Sequence, residues 1–132
     1  MLARSVFAGA FALLVAGCGS SSTTPSSSQP ADGSGQSSTT TITIMVGAVV
    51  TPKTITVSPG SQVTFVNNDT KSHEMFSDPH PEHTDCPELD QVGFLAPGQS
   101  RQSGNLNTVR SCGFHDHADA LNSGLQGTIK IQ

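Results

Sequence analysis

The chain has 132 residues, with six Lys and Arg against ten Asp and Glu, a formal net charge of −4, and neither Trp nor Tyr. With no basic cluster in it, this balance points away from nucleic acid as a partner. The length allows one small domain once leader-like and polar segments are set aside.

Arg4 and the amino terminus precede an apolar stretch, Val6 to Val15, that is too short to span a bilayer. It runs into Leu14-Val15-Ala16-Gly17-Cys18. Small residues just before a cysteine, at the end of an apolar run, resemble the lipobox of bacterial lipoproteins. The resemblance implies a signal peptide over residues 1–17 and acylation of Cys18, which holds the exported chain to a membrane. The expected location is the bacterial cell envelope, with the domain facing the periplasm or the cell exterior. Gly19, where an aspartate would favour inner-membrane retention, favours the outer membrane if there is one. The plainer alternative is a secretory signal followed by a chance cysteine.

Residues 18–40 carry that cysteine and a stretch dominated by Ser, Thr, Gly, Pro and Gln. Such a stretch has almost no apolar surface to offset its ordering entropy, and it reads as a flexible tether. The domain is then 41–132. It leans to Val, Ile, Thr, Gly, Pro, Asn and Ser and shows no long helical period, which predicts an all-β fold.

Strands follow from alternation. Ile42, Ile44 and Val46 share one face of Thr41–Val46, and Ile55 and Val57 share one face of Thr54–Val57. Ser58-Pro59-Gly60 turns the chain into Gln62–Val66, with Val63 and Phe65 inward, and this pattern predicts a hairpin. Thr70 to Pro97 lacks periodicity. It is expected to form a long ordered loop rich in histidine, with a helical turn near Pro87–Asp90. Strands are expected through Arg101–Ser103, up Asn107–Cys112 and along Gly127–Ile131. About seven short strands in this span predict a Greek-key β-sandwich.

Donor groups concentrate in two places. One is Cys112-Gly113-Phe114-His115-Asp116-His117, and the other is the region around His73. A thiolate with two imidazoles suits copper in both oxidation states. Val57-Ser58-Pro59-Gly60, Val63 to Asn68 followed by His73, Ala96-Pro97-Gly98, Cys112-x-x-His115 and Gly124 to Ile131 together resemble the cupredoxins, in their plastocyanin-like, blue-copper branch. The resemblance implies a single bound copper held by His73, Cys112 and His115, and one-electron transfer outside the cytoplasm to redox partner proteins. No Ser-centred nucleophile elbow, phosphate-cradling glycine loop or pair of buried carboxylates is evident in the pattern, so no enzyme activity is expected, and the chain is expected to be a monomer. Leu125 stands in the register of the family's axial methionine and cannot coordinate. The loop before it is longer than the short plastocyanin type, and Val109-Arg110-Ser111 replaces the family's usual aromatics. His117 and Met75 are therefore further candidate ligands, and Asp116 or Asp119 is a candidate hydrogen-bond acceptor for a ligating histidine.

The loop segment His80-Pro81-Glu82-His83-Thr84-Asp85-Cys86 admits two readings. It is either a solvated polar loop, or a flap from which His80, His83 or Cys86 completes the metal site. Export also allows Cys86 to pair with Cys112 in a disulfide. That pairing removes the thiolate and leaves imidazoles and carboxylates. Two alternative functions follow: a copper-handling or non-redox metal-binding lipoprotein, or a disulfide-closed cupredoxin-like interaction module.

Overall fold

A computed structural model describes residues 39–132 of the chain. The expected signal peptide, the expected acylation site Cys18 and most of the expected tether lie outside the described residues.

Within them, nine strands form two sheets. In chain order they are β1 (Thr41–Met45), β2 (Val49–Thr51), β3 (Thr54–Val57), β4 (Thr64–Asn67), β5 (His73–Ser77), β6 (Gly93–Leu95), β7 (Ser100–Gln102), β8 (Arg110–Asp116) and β9 (Gly127–Ile131). One sheet has the order β2-β1-β4-β7 and the other β3-β9-β8-β5-β6. The all-β sandwich is as expected. Three strands are additional to those expected. β2 and β6 are three residues each and carry too short a pattern to be read by alternation. β5 lies, like β6, inside Thr70–Pro97, the stretch expected to be a loop; its inward positions include the polar His73 and Ser77 while Phe76 points outward, so no apolar alternation marks it.

The alternating residues face each other across the sandwich. Ile42, Ile44 and Phe65 come from one sheet, and Ile55, Val57, Phe114, Ile129 and Ile131 from the other. The rings of Phe65 and Phe114 meet edge to face with centroids 5.2 Å apart, which joins the two layers. Inward-facing Phe114 sets the parity of β8. Cys112 and Asp116 share its direction, while Gly113 and His115 turn to the outer face of the sheet.

Two further expectations are revised. The turn at Ser58-Pro59-Gly60 exists, with Gly60 at φ +87° and Ser61 N–H donating to Ser58 C=O at 3.1 Å. It does not close a hairpin. β3 pairs in parallel with β9, whereas β4 pairs with β1 and β7 in the other sheet. Crossing between layers lets both apolar faces look into one core. The second revision concerns β8. It does not end at Cys112 but continues through His115 to Asp116, paired with β5 on one side and β9 on the other. His115 is thus a strand residue, not a residue of a loop at the sandwich end.

Candidate metal centre

β5 ends at Ser77, where its pairing with Phe114 of β8 stops. The chain then leaves the sheet as a closed loop. Asp78 N–H donates to Gly113 C=O at 3.1 Å, His83 N–H to Pro79 C=O at 2.7 Å and Asp85 N–H to Asp78 C=O at 2.8 Å. These bonds bring the two ends of the loop together beside β8. His83 sits at φ +53°, a conformation uncommon for a residue with a Cβ.

Beyond the loop, Cys86 turns into the core and is bonded to Cys112. The disulfide alternative is therefore the one observed. Cys112 carries no thiolate, and neither it nor Cys86 can serve as a thiolate ligand while the bond stands. The bond also fixes the loop to the strand. His83 lies three residues before one half-cystine, and His115 three residues after the other.

That tie brings His80, His83, His115 and His117 together, with one ring nitrogen of each within 4.8 Å of the others. His83 Nε2 and His117 Nδ1 are 3.2 Å apart. Two nitrogens bound to one tetrahedral ion at about 2.0–2.1 Å stand roughly 3.3 Å apart, so this spacing already matches a shared ion. His115 is 1% exposed, and its Nε2 is buried without a hydrogen-bond partner. A buried nitrogen of that kind calls for a ligand. Its Nδ1 is 2.7 Å from the Asp78 carboxylate.

Phe76, opposite His115 in the β5–β8 register, backs the cluster. Its ring stacks on His83 at 4.6 Å and leans on His117 at 5.5 Å. Burial, and then the nearby His115 and His117, hold the His83 imidazolium below its ordinary range; Asp90 opposes this and His80 adds to it. The neutral, ligand-competent form is favoured. On the solvent side, a cavity of about 540 Å³ is lined by His80, His117, Ala118, Asp119, Ala120 and Leu121. It gives an ion a path to the exposed His80 and half-buried His117.

The residues fit an imidazole-binding metal such as copper or zinc. They do not fit the expected thiolate centre. His73, expected as the first copper ligand, belongs to a different arrangement. Its Nδ1 is 2.6 Å from Asp116 Oδ2 and its Nε2 is 3.3 Å from Asp69 Oδ2, all three residues being buried. Both ring nitrogens are thus engaged by carboxylates. Burial raises the Asp69 carboxyl. The N–H groups of Thr70 and Ala48, together with the His73 ring and the Thr70 hydroxyl, outweigh that and hold it below the usual range.

Asp116, expected as an acceptor for a ligating histidine, holds His73 instead. It also caps the 3-10 turn at His117–Asp119 by accepting from Ala118 N–H. Asp119 lines the cavity. Met75 packs in the core, and so does Leu125 in the 3-10 turn Ser123–Leu125. Neither is part of the four-histidine group.

Two participants were not legible beforehand. Phe76 falls in the stretch expected to be a loop, where nothing marks it as backing a site. Asp78 reads as loop polarity before Pro79, and its one sequence signal is Gly113, two residues before His115, whose missing side chain leaves it room.

No protein-family profile and no curated protein sequence matches the chain. Solved structures resemble it in fold. A purple cupredoxin from Nitrosopumilus maritimus superposes with a TM-score of 0.57 at 15% identity, covering 70% of this chain and 98% of the other. Plastocyanin from Dryopteris crassirhizoma gives 0.55 at 19% identity, covering 70% and 99%. The Cu(I) form of an amicyanin mutant gives 0.53 at 14% identity, covering 70% and 80%. The described domain is a cupredoxin-like β-sandwich.

Proposed function

We propose that the chain is a copper-binding lipoprotein whose domain holds one copper ion through His80, His83, His115 and His117. The observation that carries this reading is the convergence of four imidazoles on the outer face of the β5–β8 sheet, with the buried His115 Nε2 unpartnered. Among divalent ions an imidazole site binds copper most strongly, and imidazole is a good ligand for it. The cupredoxin-like fold agrees with copper rather than zinc. Bound copper supplies a centre that changes oxidation state by one electron. The lipobox-like segment ending at Cys18 and the Ser/Thr-rich stretch after it support a lipid-anchored domain outside the cytoplasm, within reach of membrane-bound partners.

Copper holding and transfer is favoured over electron traffic, because the sulfur that would couple a blue site to its partner is in the disulfide. One-electron transfer to redox partner proteins is the second reading, supported by the likeness to copper proteins of the plastocyanin type.

The test is to add Cu(II) to the full chain bearing Cys18→Ser, after a thiol count, and to record visible and EPR spectra. The expected result is one tightly bound copper, no free thiol, only weak visible absorption, and EPR coupling to several imidazole nitrogens. An intense thiolate charge-transfer band that disappears in Cys112→Ser would establish the blue-copper electron carrier instead. Absence of tight binding would leave the interaction-module reading.

A further inference from the structure

We infer that Asp78 is the positioning residue of this centre, selecting Nε2 of His115 as its metal-facing atom, and that Gly113 exists in β8 to admit it. The inference rests on the four-histidine reading above and adds a residue outside the cluster.

Three observations carry it. The Asp78 carboxylate lies 2.7 Å from His115 Nδ1. A carboxylate acceptor calls for the proton on Nδ1, and in the neutral ring, the form that binds a metal, the lone pair then lies on Nε2. Nε2 is also the nitrogen that is buried and unpartnered. Finally, Gly113 and His115 both point to the outer face of β8, and a methyl at position 113 would overlap the Asp78 carboxylate. With φ at Gly113 outside the left-handed region, the glycine is required for space and not for backbone freedom.

The loop does not depend on the carboxylate for its shape. Asp78 meets Gly113 and Asp85 through its own N–H and C=O, and the disulfide anchors the far end. Asp78→Ala therefore keeps the loop while removing the acceptor. Its expected effect is a loss of metal affinity by about tenfold to a hundredfold, the usual weight of an acceptor behind a ligating histidine. Because Asp78 is partly exposed, with 44% of its side chain accessible, the lower end of that range is expected.

The experiment uses the full chain bearing Cys18→Ser, with Zn(II) alone as a diamagnetic probe. Affinity is measured by chelator competition. The protonated nitrogen of His115 is identified by two-bond proton–nitrogen NMR at mildly alkaline pH, with and without zinc. In the parent chain Nδ1 is expected to hold the proton in both states. Asp78→Ala should mix the two tautomers in the metal-free protein and weaken zinc binding. Gly113→Ala should reproduce both effects by displacing the carboxylate, yet add little in the Asp78→Ala background. An unchanged His115 tautomer and unchanged affinity in Asp78→Ala overturn the inference. Additive losses in the double variant overturn the role given to Gly113. If the parent chain binds no zinc or copper, the four-histidine reading fails by itself, and the metal-free tautomer still decides whether Asp78 sets the ring.

Discussion

His73 and His115 exchange the roles that their sequence contexts suggest. The strand and Asn-Asn loop leading to His73 place it well, yet its imidazole lies between two buried carboxylates. His115 instead keeps a buried nitrogen free. The two substitutions should therefore separate cleanly. His73→Ala leaves Asp116 buried without its partner and is expected to cost about 3 kcal/mol or more in chemical denaturation, while copper stoichiometry stays the same. His115→Ala should abolish tight copper binding in the same titration. The metal-free protein should also respond to acid through His83. Its folded value is depressed below 6.5, so the unfolded chain takes up the proton first. Stability is complete above 6.5, begins to fall as pH drops below it, and is fully lost from this source once pH passes the depressed value. Urea midpoints across that range check it, and His83→Gln should flatten the fall.

At the scale of elements, the Cys86–Cys112 bond joins the histidine loop to β8 and closes a separation of 26 residues. Chain-entropy arguments give such a closure about 3 kcal/mol. Reduction is expected to lower the thermal midpoint and, by freeing His80 and His83, to weaken copper binding; calorimetry and competition titrations on reduced and oxidised chain measure both. Leu125 gives the opposite kind of test. It is buried in the core, so Leu125→Met should leave the bound-copper spectrum unchanged and cost less than about 1.5 kcal/mol. These elements also show what the sequence discloses. β1, β3 and β9 are readable because alternation reports which side chains meet a core. Alternation does not report which sheet a strand joins, and so Ser58-Pro59-Gly60 reads as a hairpin when it crosses between layers. The donors of the metal centre are visible as His80, His83 and the His115-Asp116-His117 pair. Their union is not, because it depends on a covalent tie between two distant cysteines and on β8 running past Cys112.

For the whole molecule, the cupredoxin-like sandwich serves as a rigid wall, and the candidate centre lies on its outer face instead of between its layers. The loop that covers the centre is closed by its own backbone bonds and by the disulfide, so the domain should bind metal with little rearrangement. Comparison of amide hydrogen exchange with and without copper tests this: added protection is expected over the loop from Asp78 to Cys86 and over His115–Leu121, with β1 to β4 unchanged. The position of β9 has a consequence in time. This strand, Gly127–Ile131, lies between β3 and β8, paired in parallel with one and antiparallel with the other. Until β9 docks, β8 lacks one of its two neighbours, and neither His115 nor Cys112 has a fixed position. Sheet closure awaits contacts between residues far apart in sequence, which are slow to form. Topology thus makes β9 a condition of the centre: only once it has docked between β3 and β8 do Cys112 and His115 hold the positions that the disulfide and the four-histidine group require.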